Sequence, residues 1–404
     1  MSKARASVVV VSRHRPDDLA LCLTALSRLQ DVCFEIVVVA DPAGVTRAAS
    51  LPFADDLKIV AFDVPNISAA RNLGISHASG EIVAFIDDDA VPEPGWLSEL
   101  VVEFESPGVD AATGYVRGRN GISFQWRARG VDDAGRAVAL GKGVVDTVST
   151  VAAVKLEGTN MALRRQVLVE MGGFDERLHY FLDETELSLR LARAGRVTAV
   201  VPTAQVHHRM AANRVRTARR VPRDLFDIGA GWAILHGTHL AASRRARALA
   251  EMREHQRARL LRHMAAGTIE PRDVKRLLRR FDAGAKEGQG REIFSEHAPG
   301  PPLARFRQFP APARRAQVIA GRVWSRGRLR REAVKSAARG DNVTLIELSP
   351  TALYHRVRYQ PEGYWLHTGG LFGRSLRSAP ILAWYRHATR VSKECMRIRA
   401  ERRL

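Results

Sequence analysis

The chain has 404 residues, of which 46% are hydrophobic and 26% charged, an ordinary composition for a globular protein with two or three domains. Its three scattered cysteines form neither a zinc-ligand spacing nor a disulfide framework, so we expect a reducing, cytoplasmic compartment. Residues 1–210 hold 22 basic and 27 acidic residues, a net charge of −5. Because the whole chain has a net charge of +20, residues 211–404 carry +25. This asymmetry predicts an anionic partner for the second half.

Apolar runs and turn signals alternate through the first hundred residues. They predict strands at Ala6–Ser12, Phe34–Ala40, Leu57–Phe62 and Gly80–Ile86. Helices are predicted between them, one capped by Asp17 or Asp18 and reaching Leu29, another capped by Asn66. The alternation indicates an α/β fold with a mainly parallel sheet flanked by helices. No Gly-x-Gly-x-x-Gly or phosphate-loop lysine motif is present, which argues against a dinucleotide oxidoreductase and an ordinary ATPase.

Three adjacent aspartates, Asp87-Asp88-Asp89, directly follow the fourth predicted strand. The Pro92-Glu93-Pro94-Gly95 turn comes next, so the triplet lies at the carboxyl end of a buried strand, the edge where open α/β sheets bind ligands. Adjacent carboxylates repel one another, which favours a bound hard cation that itself holds phosphates. A solvated acidic turn is the alternative.

Further motifs follow in the next hundred residues. The segment Arg117–Arg136, rich in glycine and arginine and containing Trp126, is predicted to be a loop or hairpin at the mouth of a site. Gly158-Thr159-Asn160 precedes Gly172-Gly173-Phe174-Asp175. Asp183 and Glu184 begin a helix that Gly195 ends. Two short strands, Arg196–Pro202 and Ala204–His208, are predicted after it.

The second half carries no catalytic motif. We expect helices over Arg214–Arg280, a linker at Gly284–Pro312, a short β-hairpin near residues 343–368 and a basic helix from Ile381 to Leu404. The predicted division is therefore a catalytic domain at 1–212 and a basic, mainly helical region at 213–404. Helices whose basic faces pack on the catalytic domain or are solvated would account for the charge equally well.

In their order, the N-terminal motifs resemble those of family-2 glycosyltransferases of the GT-A fold. They are the valine strand with Arg13-His14-Arg15-Pro16, Asp41, the aspartate triplet, and the Gly158-Thr159-Asn160 and Gly172–Asp175 segments with the acidic helix start. The resemblance covers about half of the chain. It implies transfer of a hexosyl or related sugar from a nucleotide-diphosphate donor to an acceptor hydroxyl, with inversion, in cell-surface polysaccharide or glycolipid synthesis.

The resemblance also implies a Mg²⁺ or Mn²⁺ ion that neutralises the departing diphosphate. By resemblance Asp89 and His208 contact the metal, while Asp87 and Asp88 hold the ribose or orient the site. The spacing of Ala204, Val206 and His208 favours His208 over His207. A histidine bonded to backbone at a strand end is the alternative, since imidazole prefers softer metals.

Other residues are assigned to the donor. Asp41 resembles the acid that accepts the imide N–H of uracil or thymine, so a UDP- or dTDP-sugar is favoured; a helix cap before Pro42 is the equal alternative. Arg13 and Arg71 are expected at the nucleotide or its phosphates, although either one could be a surface arginine. Gly158 and Thr159 are expected to line the sugar pocket.

The acceptor hydroxyl needs a base to take its proton. By resemblance the base is Glu184 and its neighbour is Asp183, with the two residue types exchanged relative to the family's Glu-Asp pair. Either member could therefore be the base. Glu186 has a simpler interpretation as the partner of Arg190 one helical turn away.

The predicted partners are a nucleotide-sugar donor, a carbohydrate or lipid-linked acceptor, and an anionic membrane surface that the basic half would bind peripherally at the inner face. No stretch of the second half is long enough to span a bilayer. Two alternatives belong to other classes: a nucleotidyltransferase of similar fold, and a nucleic-acid-binding protein that uses the basic half. Nucleic acid is not an expected partner, because aromatic residues are sparse there and no binding module is recognisable.

Overall fold

The computed structural model describes residues 4–140, 152–212, 214–292 and 296–404. Its strands are β1 Arg5–Ser12, β2 Cys33–Ala40, β3 Leu57–Ala61, β4 Ile82–Asp87, β5 Ala90–Pro92, β6 Val109–Arg117, β7 Phe124–Trp126, β8 Arg129–Val131, β9 Ala137–Ala139, β10 Ala153–Val154, β11 Met161–Arg164, β12 Val197–His208, β13 Ala316–Arg322, β14 Asn342–Ser349, β15 Arg356–Tyr359 and β16 Tyr364–Gly370. Its helices are α1 Pro16–Leu26, α2 Pro42–Ala49, α3 Ile67–His77, α4 Trp96–Val102, α5 Arg165–Glu170, α6 Asp183–Arg193, α7 Phe226–His239, α8 Ala242–Ala265, α9 Pro271–Gln289, α10 Arg326–Ala338 and α11 His387–Arg402.

The large sheet has the order β3-β2-β1-β4-β11-β6-β12-β5, with β7 attached to β6. The first four strands are parallel, as the alternation of strands and helices predicts. Side chains alternate across the sheet: Val8 and Val10 pack with Leu19 and Leu23 on one face, and Val9 packs on the other. Both faces are covered by helices, which explains why these strands are apolar throughout.

The second half of the sheet brings the ends of two distant segments together. Strand β11 runs antiparallel to both β4 and β6, while β12 runs parallel to β6. The short β5 pairs antiparallel with the end of β12, with His208 opposite Ala90. The end of β12 therefore lies beside the loop that follows β4, and with it the aspartate triplet.

Two of three local predictions need correction. Helix α1 is preceded by Arg15, and neither Asp17 nor Asp18 caps it, because both lie inside its first turn. The two strands predicted before His208 form one strand, β12, which a bulge between Val201 and Gln205 interrupts. The cap of α3 is confirmed, since the Asn66 side chain accepts the Ala69 N–H at 3.1 Å.

Helices α7, α8 and α9 cover the end of the sheet at which α6 begins. Their core includes Trp232, Leu260 and Phe281 and also contains Leu189 of α6. Helices α7 and α9 cross closely: a β-carbon at Gly284 would lie 2.0 Å from the carbonyl oxygen of Phe226. Only glycine fits there, and the helical prediction for this stretch is confirmed.

The segment predicted as a linker is in fact packed structure. Residues 284–289 belong to α9, and further along the chain the Leu303 N–H donates to the Ser76 carbonyl at 2.8 Å. Phe309 stacks on Phe34 with ring centroids 5.5 Å apart, and its N–H donates to the Phe34 carbonyl at 2.7 Å. A run rich in glycine and proline lacks helical or strand periodicity, yet here it anchors the second half to the catalytic domain.

The prediction of a lone hairpin near 343–368 is also wrong in extent. Strands β15 and β16 do form a hairpin, with Gln360–Gly363 as the turn, but they complete a four-stranded sheet of order β13-β14-β16-β15. Helix α10 connects the parallel strands β13 and β14. The basic tail forms α11, as predicted, and its Arg402 is buried against Glu93 of the catalytic domain, with Nε 2.9 Å from Oε2. Among the described residues, no helix has the length and apolar character needed to cross a membrane.

Candidate active site

A cavity of about 680 Å³ opens beyond the carboxyl end of β4. Five segments contribute the predicted site residues to its wall: Asp87 and Asp89 after β4, Trp126 on β7, Gly158 and Thr159 before β11, Asp183 and Glu184 on α6, and His208 on β12. The structure thus brings together motifs that are more than a hundred residues apart in the chain.

Asp87, Asp89 and His208 form a potential cation site. One ligand atom from each lies within 4.8 Å of those of the other two. His208 Nε2 is 3.2 Å from Asp89 Oδ1, and the Ala211 N–H donates to Asp89 Oδ2 at 2.7 Å. Burial opposes ionisation of Asp89, but these hydrogen bonds and the Arg15 guanidinium hold its pKa well below the usual range. The two carboxylates suit Mg²⁺ or Mn²⁺, and the imidazole nitrogen is a third donor.

Asp88 points away from the cation ligands and is fully buried. It accepts the Ser12 hydroxyl at 2.8 Å and lies 2.6 Å from Arg15 Nη2. Arg15 also reaches Asp89, with Nη1 3.2 Å from Oδ2. Asp88 therefore orients Arg15 across the cavity wall. The sequence reasoning missed Arg15, although its place in the loop after β1 was a usable signal.

Asp183 and Arg71 form a buried pair in the wall of the same cavity. The Arg71 guanidinium donates to the Asp183 carboxylate, lies 3.4 Å from Asp87 Oδ1, and donates to the Gly158 carbonyl at 3.1 Å. Arg71 thus links the aspartate triplet, the loop at Gly158 and helix α6. A β-carbon at Gly158 would lie 2.9 Å from Arg71 Nη2, so glycine is needed for this approach.

Glu184 is paired with Lys155, whose Nζ lies 2.7 Å from Oε1. Burial alone would raise the pKa of Glu184, but the charge and hydrogen bond of Lys155, the hydrogen bond of Asp183 and the charge of Arg71 together lower the pKa to about 2. For Asp183, burial and the neighbouring Glu184 raise the pKa to about 7 against the opposing charge of Arg71. The Glu184 side chain is 19% exposed toward the cavity and that of Asp183 only 3%. The residue before them, Leu182, has a left-handed backbone with φ of 71°, a strain typical of functional turns.

Two features beside the cation site suit a sugar. The Thr159 hydroxyl is buried in the cavity wall and has no hydrogen-bond partner among the residues that the structure describes. The Trp126 ring lies 5.8 Å from that of His208 and offers an apolar face at the mouth. The prediction that Arg117–Arg136 surrounds the site mouth agrees with the positions of Trp126, Arg129 and Arg136 in the cavity wall.

A smaller cavity of about 200 Å³ adjoins the first one, and the two share Arg15, Ile67 and Tyr180. Its wall includes Arg13 and the segment Phe62–Asn66. Arg13 is held there by Asp63, with Nε 2.8 Å from Oδ1. A flat ring bound in this cavity would place the rest of its molecule toward the cation ligands.

Asp41 lies beneath this loop as the N-cap of α2. Its Oδ1 accepts the Gly44 N–H at 3.1 Å, and Oδ2 accepts the His14 N–H at 3.3 Å. The carboxylate is only 4% exposed and also contacts His14 Nδ1 at 3.2 Å. The capping interpretation is therefore observed, and contact with a nucleobase requires His14 to move; that role stays a prediction.

A second group of potential ligands, His355, His367 and Glu394, lies inside the C-terminal unit. Glu394 is paired with Arg390 and Arg397, each at 2.9 Å. Arg402 contacts His367 Nε2 at 2.6 Å, and burial together with this charge lowers the pKa of His367 well below its usual value. Three guanidinium groups oppose a cation here, so this group joins α11 to its sheet instead.

Comparison with known proteins identifies the family of a segment in the first half of the chain. Residues 7–168 match the model of the glycosyl transferase family 2. Residues 7–168 form a family-2 glycosyltransferase domain. The family and the mainly parallel α/β fold predicted from the sequence are thereby confirmed.

Individual relatives agree with this placement. The chain is 29% identical over 234 residues to the O-antigen biosynthesis protein RfbC of Myxococcus xanthus, covering 52% of this chain and 18% of that protein. It is 31% identical over 147 residues to the pre-mycofactocin glycosyltransferase of Mycobacterium tuberculosis, covering 35% and 29%. The chain thus spans less than a third of either relative. A solved structure, GalNAc-T7 with UDP, GalNAc and Mn²⁺, aligns with a TM-score of 0.44 and 15% identity over 58% of this chain and 48% of that chain.

Proposed function

We propose that the protein transfers a sugar from a nucleotide-diphosphate donor to an acceptor hydroxyl, with inversion and with a divalent cation. One observation carries this proposal: the cation ligands Asp87, Asp89 and His208 and the acidic pair Asp183 and Glu184 line the same cavity. Transfer with inversion needs a stabilised leaving group and a base that reaches the acceptor hydroxyl, and these two groups of side chains offer the two chemistries.

The donor occupies both cavities in this proposal. Its base enters the smaller cavity near Arg13 and Phe62, its diphosphate lies toward Asp89, and its sugar contacts Thr159. A Mg²⁺ or Mn²⁺ ion held by Asp87, Asp89 and His208 would supply Lewis-acid stabilisation of the departing diphosphate. Arg15 and Arg71 add fixed positive charge on either side of the triplet, positioned before the reaction begins.

Glu184 accepts the acceptor proton in this proposal. It is the more exposed of the two carboxylates, and its pairing with Lys155 keeps it ionised at neutral pH. A base of such low pKa has little driving force for proton transfer, so most of the barrier must be lowered at the leaving group. Asp183 is a positioning residue, because it holds Arg71 against Asp87 and Gly158.

The acceptor is proposed to be a carbohydrate, or a lipid-linked one, in the assembly of a surface polysaccharide. RfbC, which carries that role in its name, supports this. The +25 charge of residues 211–404 supports peripheral binding to an anionic membrane that bears such an acceptor.

The test is a panel of UDP-, dTDP- and GDP-sugars incubated with the full chain and Mg²⁺ or Mn²⁺, with release of nucleoside diphosphate as the readout. We expect turnover of a UDP- or dTDP-sugar that excess chelator abolishes. Glu184→Gln should lower turnover by about 10²-fold or more while leaving donor affinity nearly unchanged. Turnover that persists in chelator, or a mild Glu184→Gln together with an inactive Asp183→Asn, would contradict the cation or the base assignment respectively.

A further inference from the structure

A third cavity, also of about 680 Å³, lies on the far side of Tyr180 and Phe181 from the cation ligands. It is formed by the loop before α7 and by the end of α8. We call it the arginine pocket, because its wall includes Arg216, Arg220, Arg259 and Arg262, with His263 beside them. Tyr180, Phe181, Arg216 and Arg220 line both this pocket and the candidate active site, so the two are continuous.

The charge of Arg220, Arg259 and Arg262 in the arginine pocket is poorly compensated. In the described part of the chain, no carboxylate lies within ion-pairing distance of Arg220, Arg259 or Arg262. The one acid in the wall, Asp224, is engaged by Arg280 on α9, with Nη2 2.9 Å from Oδ2. Burial and the charges of Arg220 and Arg216 lower the pKa of Arg259. Like charges held together at this cost are typical of a site for an anion.

The remainder of α8 behaves differently. Arg253 pairs with Asp282 at 2.7 Å, and Arg257 pairs with Glu254 at 2.8 Å. Most arginines of this helix that lie outside the pocket therefore have acidic partners, and Arg245 donates to the Leu240 carbonyl instead. Among the described residues, Arg259 and Arg262 on the pocket wall have no acidic partner, which distinguishes that wall from most of the helix.

We propose that the arginine pocket binds a phosphate or pyrophosphate group carried by the acceptor. This inference rests on the proposed glycosyl transfer. Guanidinium groups match phosphate oxygens through paired N–H donors, and several of them together favour a doubly charged group.

The position of the pocket favours the acceptor over the donor. The diphosphate of the donor belongs at Asp87 and Asp89, on the other side of Tyr180 and Phe181. Phe181 is separated only by Leu182 from the acidic pair, so a group anchored in the pocket is held beside Glu184. An acceptor whose phosphate is fixed there can present a hydroxyl to the proposed base.

The probe is inorganic pyrophosphate, titrated calorimetrically into the full chain in chelator, so that binding at the cation site is suppressed. We expect Arg259→Ala/Arg262→Ala to weaken its affinity at least ~10-fold, since each charge-assisted hydrogen bond contributes strongly. Arg257→Ala, on the same helix but paired with Glu254, should bind as the wild type does. Arg262→Glu, at an exposed position, provides a second variant that retains the fold. Equal affinity in the wild type, the double variant and Arg262→Glu would overturn the proposal.

Vesicles identify the source of the phosphate. If phosphatidylcholine vesicles that contain phosphatidic acid compete with pyrophosphate in the wild type, whereas vesicles of equal charge made with phosphatidylserine do not, the group is carried by a lipid; if neither competes, it is carried by a soluble acceptor. Donor turnover by the wild type is measured separately. If a donor is turned over but pyrophosphate binding does not depend on these arginines, only the arginine pocket is rejected. If pyrophosphate binding depends on the arginines but no donor is turned over, only the proposed transfer is rejected.

Discussion

Removing the positive charge of Lys155 should make the activity sensitive to acid. The ammonium group lies 2.7 Å from Glu184 Oε1 and is 9% exposed. It is the main reason that the pKa of Glu184 is about 2 and not the ordinary 4.5, although burial raises it. At about 1.4 kcal/mol per pH unit, this difference corresponds to about 3 kcal/mol in favour of the ionised carboxylate.

In Lys155→Met the burial of Glu184 remains and the compensating charge is lost, so its pKa should rise above 4.5. A base must be ionised to accept a proton, and activity is lost as pH falls through its pKa. The wild type should therefore show kcat/KM that is flat on the acid side down to about pH 5, whereas Lys155→Met should decline in that range. Lys155→Arg, which keeps the charge, is the matched control, and circular dichroism checks that each variant is folded.

One result would refute this reasoning. Asp183 has a pKa raised to about 7 by burial and by Glu184, and a base with that pKa would give the wild type an acid limb near neutral pH. If such a limb is present and Asp183→Asn removes it together with the activity, Asp183 is the base and the register of the acidic pair is shifted by one residue.

Three further outcomes are expected. Arg402→Met leaves the buried Glu93 with His207 as its remaining partner and should lower the free energy of unfolding in urea by about 3–5 kcal/mol; Glu93→Gln in the same chain should restore part of it, and additive losses would contradict the coupling. If Asp41 contacts the nucleobase, UDP should bind more tightly than GDP by calorimetry. Equal affinities would show that Asp41 acts only as the N-cap of α2. Asp41→Ala should in either case remove that cap and lower the stability by about 1 kcal/mol. The full chain should co-sediment with anionic and not with neutral vesicles, and less so in added salt; a protein that stays in the supernatant at low salt has no membrane affinity.

The predictable part of the fold is the part governed by local pattern. Strands β1 to β4 are apolar runs separated by turn residues, and their parallel pairing follows from the helices between them. Strand β13 and helix α10 went unpredicted, because an arginine-rich sequence without strong apolar periodicity gives little local signal. The segment Gly284–Pro312 was predicted as a linker for the same reason, although Phe309 packs into the core of the sheet.

The residues of the candidate site also divide into those with a signal in the local sequence and those without one. The aspartate triplet was recognisable because it ends an apolar strand, whereas the roles of Asp89, Asp183, Glu184 and His208 followed from the resemblance to family-2 glycosyltransferases. Lys155 and Arg15 could not be assigned partners, since their contacts depend on β11 lying beside β4 and on the order of the whole sheet. The arginine pocket is likewise assembled from a loop and a helix some forty residues apart, which no spacing in the chain reveals.

The central claim is a divalent cation at Asp89 that binds together with a nucleoside diphosphate. Electron paramagnetic resonance of Mn²⁺ titrated into the full chain with UDP present measures this directly. We expect Asp89→Asn to weaken Mn²⁺ binding at least ~10-fold, whereas Asp17→Asn, at a side chain 95% exposed on α1, should leave it unchanged. Equal Mn²⁺ affinity in the wild type and in Asp89→Asn would show that the aspartate triplet is not the metal site and would contradict the proposed function.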